Sequence, residues 1–132
     1  GCKSGSGFYL YDKSNKGQIN PQIINMLKLD APDRLTFENK EIVNRLILPM
    51  INEAVYCLDE DVISEPHAVD TAMIFGAGFP PYTGGLIRLG DTIGARQIVD
   101  RLDEFTDKFG VRFAPAGLLR KMAKLDAGFY NT

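Results

Sequence analysis

One histidine and two widely separated cysteines are all that this sequence offers to imidazole or thiolate chemistry. His67 stands next to Pro66 with no adjacent serine or cysteine, so it is expected as a solvated ring in the first turn of a helix rather than as half of a nucleophile–base pair. His67, Cys2 and Cys57 match no zinc spacing, and the carboxylates at Asp59, Glu60 and Asp61 lack the central glycine of a calcium loop. No metal ligand is therefore expected, and the acidic cluster reads as a solvated helix end. Cys57 falls within a helical pattern, where a buried free thiol is the common state, so no bridge to Cys2 is expected and a reducing, intracellular compartment fits better.

Long apolar runs are also missing. A stretch such as Leu46-Ile47-Leu48-Pro49-Met50-Ile51 is far short of the roughly 20 residues that cross a bilayer, and no charged-then-apolar signal opens the chain. Lys and Arg are scattered and the formal net charge is −2; without a basic stripe, nucleic acid is excluded as an expected partner. The first residue is Gly rather than Met, which reads as a piece cut from a longer protein.

What is present is the composition of one globular domain: 132 residues, 45% hydrophobic and 24% charged, enough to build a single core. The tripeptide Gly7-Phe8-Tyr9 returns at Gly128-Phe129-Tyr130, an interval about the size of one domain. Residues 1–13 read as a Gly/Ser turn and a short extended aromatic run, Phe8-Tyr9-Leu10-Tyr11, followed by a polar break from Ser14 to Gly17. Asn20-Pro21 is a helix start, since Asn accepts from orphan amides and Pro at the first position forfeits nothing; that helix ends near Leu29, before Asp30-Ala31-Pro32. Residues 14–36 are accordingly a linker with one short helix.

From Phe37 the pattern is helical. Ile42, Leu46, Met50, Ala54 and Cys57 draw one apolar stripe that is expected to face inward, on a long helix kinked near Arg45 to Pro49 by the missing proline amide. Of its polar residues, Arg45 and Asn52 could face either solvent or the core, and Asn44 could flank the core. Ser64 or Glu65 with Pro66 starts a second helix, stopped by Gly76. A short helix from Leu86 to Leu89 precedes Asp91-Thr92, either of which could cap the next helix, ending at Phe109 before Gly110. Ile98, Leu102, Phe105 and Phe109 form its inner face, with Arg96/Asp100 and Glu104/Lys108 able to pair outside. Pro115 opens a last helix with Leu118, Leu119, Met122 and Leu125 inside. No convincing sheet is left, so the class is all-α: a kinked long helix with about four shorter ones.

The segment Gly76 to Gly85, with Phe79-Pro80-Pro81-Tyr82 at its centre, is a loop of defined shape. A dinucleotide fingerprint would need a third glycine where Pro81 stands, and a strand before it. The glycines from Lys3 to Gly7 are followed by no Gly-Lys-Ser/Thr element and open no helix.

Asn44-Arg45-Leu46-Ile47-Leu48-Pro49-Met50-Ile51-Asn52-Glu53-Ala54-Val55 with Cys57-Leu58-Asp59-Glu60, and Ala72 to Gly85 with Asp91-Thr92-Ile93-Gly94, resemble the carboxyl-terminal helical domain of 3-hydroxyacyl-CoA dehydrogenases, a fold like that of the 6-phosphogluconate dehydrogenase C-terminal domain. Gly-Phe-Pro-Pro followed by Gly-Gly is similar to the second of two such domains in the multifunctional α subunit of fatty-acid β-oxidation. The resemblance makes residues 1–13 the tail of a preceding copy and residues 37–132 the second copy.

It further implies a parent enzyme that couples enoyl-CoA hydration to NAD-dependent oxidation of 3-hydroxyacyl-CoA. The catalytic His and Glu and the cofactor loop of that family lie in a preceding Rossmann domain. His67 lacks the family's His-Phe-Phe/Met-x-Pro setting, so no catalytic, cofactor-binding or metal residue is expected in this chain. Asn44 holds the place of the family's active-site Asn and is expected to be vestigial. The leading expectation is a non-catalytic packing domain, a pseudo-dimer partner of the first helical copy, with Phe79, Pro80, Pro81 and Tyr82 at the interface. The alternatives are an acyl-CoA-binding wall, with Asn44 on the substrate side, and a stand-alone helical adaptor. NAD, acyl-CoA and a thiolase β subunit would be ligands and partner of the parent, in bacterial cytoplasm ahead of mitochondria.

Overall fold

The computed structural model describes residues 3–11, 16–28 and 37–130. The chain forms two compact units, 1–37 and 38–132. Cys2, the expected helix end at Leu29 and the stop at Asp30-Ala31-Pro32 lie outside the described residues.

In the first unit β1 (Tyr9–Tyr11) pairs antiparallel with β2 (Lys16–Ile19), Tyr9 opposite Ile19 and Leu10 opposite Gln18. β2 stands partly in the segment read as a polar break, so a small hairpin joins the two stretches that the sequence reading held apart as tail and linker. Asn20 caps α1 (Pro21–Met26) as expected: its side chain accepts from the Gln22 amide at 3.1 Å.

The second unit is wholly helical among the described residues. α2 (Asn39–Asp59) runs unbroken through Pro49. Its buried face is Leu48, Ile51, Asn52, Ala54 and Val55; of the expected stripe Ala54 is buried and Cys57 half-buried, whereas Ile42, Leu46 and Met50 are 44%, 62% and 36% exposed. Both sets recur at helical spacing, and spacing alone does not say which face its neighbours will cover. α4, α5 and α6 pack on the Leu48–Ile51–Val55 side.

α3 (Pro66–Ala77) continues past Gly76, because the residue that adopts the left-handed stop is Gly78, at φ 69°. Pro81–Thr83 form one 3-10 turn, whose shape is held by the Thr83 hydroxyl, donating to the Pro80 carbonyl at 2.7 Å and accepting from the Gly85 amide at 3.2 Å. α4 (Leu86–Ile93) is a turn longer than expected and contains both Asp91 and Thr92, so neither caps α5 (Ala95–Phe109); the chain turns at Gly94 instead. The inner face of α5 is as expected through Ile98, Leu102 and Phe105, with Phe109 half-buried. Its outer ion pairs are Arg101–Glu104 at 2.8 Å and, to the last helix, Arg120–Asp103 at 2.5 Å, rather than the two anticipated.

A 3-10 turn at Val111–Phe113 leads to α6 (Gly117–Leu125), in which Leu119, Met122 and Ala123 are buried, Leu118 is half-buried and Leu125 points out at 67% exposure. Phe105, Phe109 and Phe113 form a cluster with centroids 5.6–5.9 Å apart. The Arg45 guanidinium lies 4.0 Å over the Phe109 ring, so this side chain covers aromatic surface rather than reaching freely into solvent. Asn52, whose facing the sequence leaves open, is 4% exposed: its amide donates to the Ala114 carbonyl at 2.9 Å and its oxygen accepts from the Ala116 amide at 2.8 Å.

Candidate functional site

A dense polar arrangement in the second unit is built around Asp70, a carboxylate that the sequence pattern does not single out. Asp70 lies in α3 between Val69 and Thr71 and is 4% exposed. Burial of a carboxylate is costly unless donors surround it, and here three do. The Ile87 and Arg88 amides, in the first turn of α4, donate at 2.6 and 3.2 Å, and the Tyr130 hydroxyl donates at 2.6 Å. The negative charge therefore sits at the positive end of α4, where the helix dipole and orphan amides stabilise it.

Gly85 makes this approach feasible. Its φ is 118°, and a Cβ there would fall inside the Asp70 side chain. A second carboxylate, Asp91, stands further along α4 and accepts from the Phe129 and Tyr130 amides at 2.8 and 3.0 Å. The Arg88 guanidinium lies 3.6 Å over the Tyr130 ring. Phe129 and Tyr130 are thus fastened to α4 by Asp91 and Arg88 and to α3 by Asp70. A lone carboxylate in the mostly apolar stretch Val69 to Phe75, where Thr71 is the one other polar residue, was the sequence signal for this cleft.

Burial, and secondarily the bond to Asp70, hold the Tyr130 phenol well above its ordinary range. In the unfolded chain a tyrosine ionises near pH 10. The folded group keeps its proton to higher pH, so its contribution is complete below about pH 10 and declines as pH rises through the folded value. Alkaline thermal melts should accordingly show falling stability above about pH 10, and Tyr130→Phe should flatten that limb; an unchanged slope would contradict the assignment.

The residues expected to matter are dispersed. His67 is exposed, 4.0 Å from the Glu65 carboxylate, as a solvated ring should be. Asn44 is half-buried in a shallow polar depression of about 130 Å³ with Lys40, Arg101 and Glu104, below the roughly 300 Å³ of an ordinary ligand pocket. Phe79 is buried in the domain's own core, whereas Tyr82 is 89% exposed. Cys57 is a free, half-buried thiol. Among the described residues no cluster suits a metal ion and no helix is long and apolar enough to cross a membrane.

The Gly-rich loop does not fit the pyrophosphate of NAD. Gly76-Ala77-Gly78 ends a helix instead of joining a strand to one, and the α4 amino terminus that follows is already occupied by the Asp70 carboxylate. An anion placed there would meet charge of its own sign.

Comparison with known proteins agrees with this architecture. The chain is 44% identical over 98% of its length to the fatty acid oxidation complex subunit alpha of Vibrio cholerae. The corresponding subunits of Vibrio vulnificus and Shewanella amazonensis are 40% and 42% identical, over 99% and 98% of the chain. In each case the chain spans 18% of the relative's length. Residues 42–129 match the family described as 3-hydroxyacyl-CoA dehydrogenase, C-terminal domain, and the chain belongs to that family.

Proposed function

We propose that this chain is a non-catalytic packing domain of a multifunctional fatty-acid β-oxidation protein, burying its surface against another helical domain of the same kind. The observation that carries this reading is the apolar side of α2 left open by the fold. Ile42 and Leu46 border a groove of about 420 Å³ with Pro49 and Phe113, flanked by Arg45 and Arg112, on a chain that spans 18% of its relatives. Exposed apolar surface of this kind marks an interaction face. Pro81 and Tyr82 extend the proposed interface, whereas Phe79 serves the core beneath. In this reading residues 1–13 are the tail of the preceding copy and residues 14–36 the connection, with hydration and NAD-dependent oxidation of the acyl-CoA carried out by domains elsewhere in the parent, in bacterial cytoplasm and alongside a thiolase β subunit. Asn44 is vestigial.

Titration of the chain with NADH and with acetoacetyl-CoA should give no micromolar binding and no turnover; either would overturn the non-catalytic assignment. For the interface, Leu46→Asp should lower the melting temperature of the longer protein and leave that of the isolated chain unchanged, because Leu46 has little of its own fold to lose. Equal melting of the longer protein with and without the substitution would contradict the packing face.

A further inference from the structure

The Gly-Phe-Tyr tripeptide occurs twice, and the structure gives each residue of the carboxyl-terminal copy a task. A Cβ at Gly128 would stand 3.2 Å from the Asp91 carboxylate, so the small residue lets the backbone lie against it. The next two amides donate to the two oxygens of Asp91, and the terminal phenol reaches buried Asp70 beneath Arg88. The cleft thus reads a small residue, two consecutive amides and a phenol, in that order. Gly7-Phe8-Tyr9 carries the same groups in the same order; Phe8 is 70% and Tyr9 46% exposed, while Gly7 is half-buried, its carbonyl accepting from the Asn20 side chain at 2.9 Å.

We infer that the Asp70–Arg88–Asp91 cleft is a receptor for Gly-Phe-Tyr segments, and that Gly7-Phe8-Tyr9 is a docking segment for a cleft of this kind on another copy of the fold. Two carboxylates and a guanidinium favour a peptide with adjacent amide donors and an aromatic hydroxyl. The inference deepens the function proposed above, in which that other copy is the preceding domain.

Its test uses this chain's own cleft. A chain ending at Ala127 leaves the cleft open, and a synthetic peptide spanning Lys3 to Tyr11 is added while the Ile87 and Arg88 amide resonances, which report the Asp70 contact, are followed. Saturable shifts and a raised melting temperature are expected, with binding about tenfold weaker for Gly7→Val and Tyr9→Phe peptides. If the shortened chain does not fold, the full-length Phe129→Pro/Tyr130→Ala variant removes one of the two amides held by Asp91 and the phenol held by Asp70, loosening the tail's own hold on the cleft, and offers the same readout. No shift with Lys3–Tyr11 while a peptide of Ala127–Thr132 binds would overturn the equivalence of the two segments. Binding by neither peptide would overturn the receptor itself. Both results leave the α2 packing face standing, since that is tested by Leu46→Asp.

Discussion

Gly85→Ala should abolish the cooperative unfolding transition of the helical unit near physiological temperature. The residue has φ 118° and ψ −179°, a region open essentially to glycine alone, and an alanine there carries about 1–3 kcal/mol of backbone strain. The added methyl would also displace the Asp70 side chain and with it the acceptor of the Ile87 and Arg88 amides and the Tyr130 hydroxyl. Unsatisfied buried groups cost about 1–3 kcal/mol each, so the total approaches the roughly 5–15 kcal/mol that holds a domain together. The neighbouring substitution Gly84→Ala is the control. There φ is 77° and the new atom meets only the Arg88 side chain, at 3.3 Å, for an expected loss of about 1–2 kcal/mol. Urea melts of both variants, followed by far-ultraviolet circular dichroism, measure the difference. Equal midpoints would refute the view that Asp70 and the Gly85 backbone occupy one indivisible space.

Asn52→Leu should be the next most damaging change, at about 2–4 kcal/mol. The leucine nearly preserves volume but removes a donor to the Ala114 carbonyl and an acceptor from the fully buried Ala116 amide. For a unit of this size that loss corresponds to a melting temperature lower by about 10–20 °C. Glu53→Ala, one residue away and exposed, should change stability by no more than about 0.5 kcal/mol. Differential scanning calorimetry on the pair decides the matter: if Asn52→Leu melts with Glu53→Ala, the polar link between α2 and the loop entering α6 contributes little.

These two positions also mark where the sequence was legible and where it was not. Element type followed from periodicity and from local punctuation: Asn20-Pro21, Pro66 and Gly110 all stand at helix boundaries. The facing of α2 did not follow, because Ile42–Leu46–Met50 and Leu48–Ile51–Val55 are both apolar and the choice between them belongs to α4, α5 and α6. Caps were misread for a related reason. Asp91 is a good capping residue by type, yet its carboxylate serves the chain end, while the start of α4 is served by Asp70 in a different helix. A local rule cannot find a donor–acceptor pair that tertiary packing assembles. The repeated Gly-Phe-Tyr is visible in the sequence, but the two aspartates that hold its second copy are brought together only by the packing of α3 on α4.

The borrowed caps carry a consequence for how the unit comes apart. Asp70 of α3 closes the start of α4, and Asp59 at the end of α2 accepts from the Leu118 amide at the start of α6 at 3.3 Å. Asn52 of α2 holds the segment between. Neither α4 nor α6 brings a side-chain cap of its own, and helices as short as these are barely stable alone in water. Each is therefore a helix on loan from its neighbours: fraying of α2 or α3 withdraws the support from the other two, and the bundle opens as one foldon instead of peeling away helix by helix.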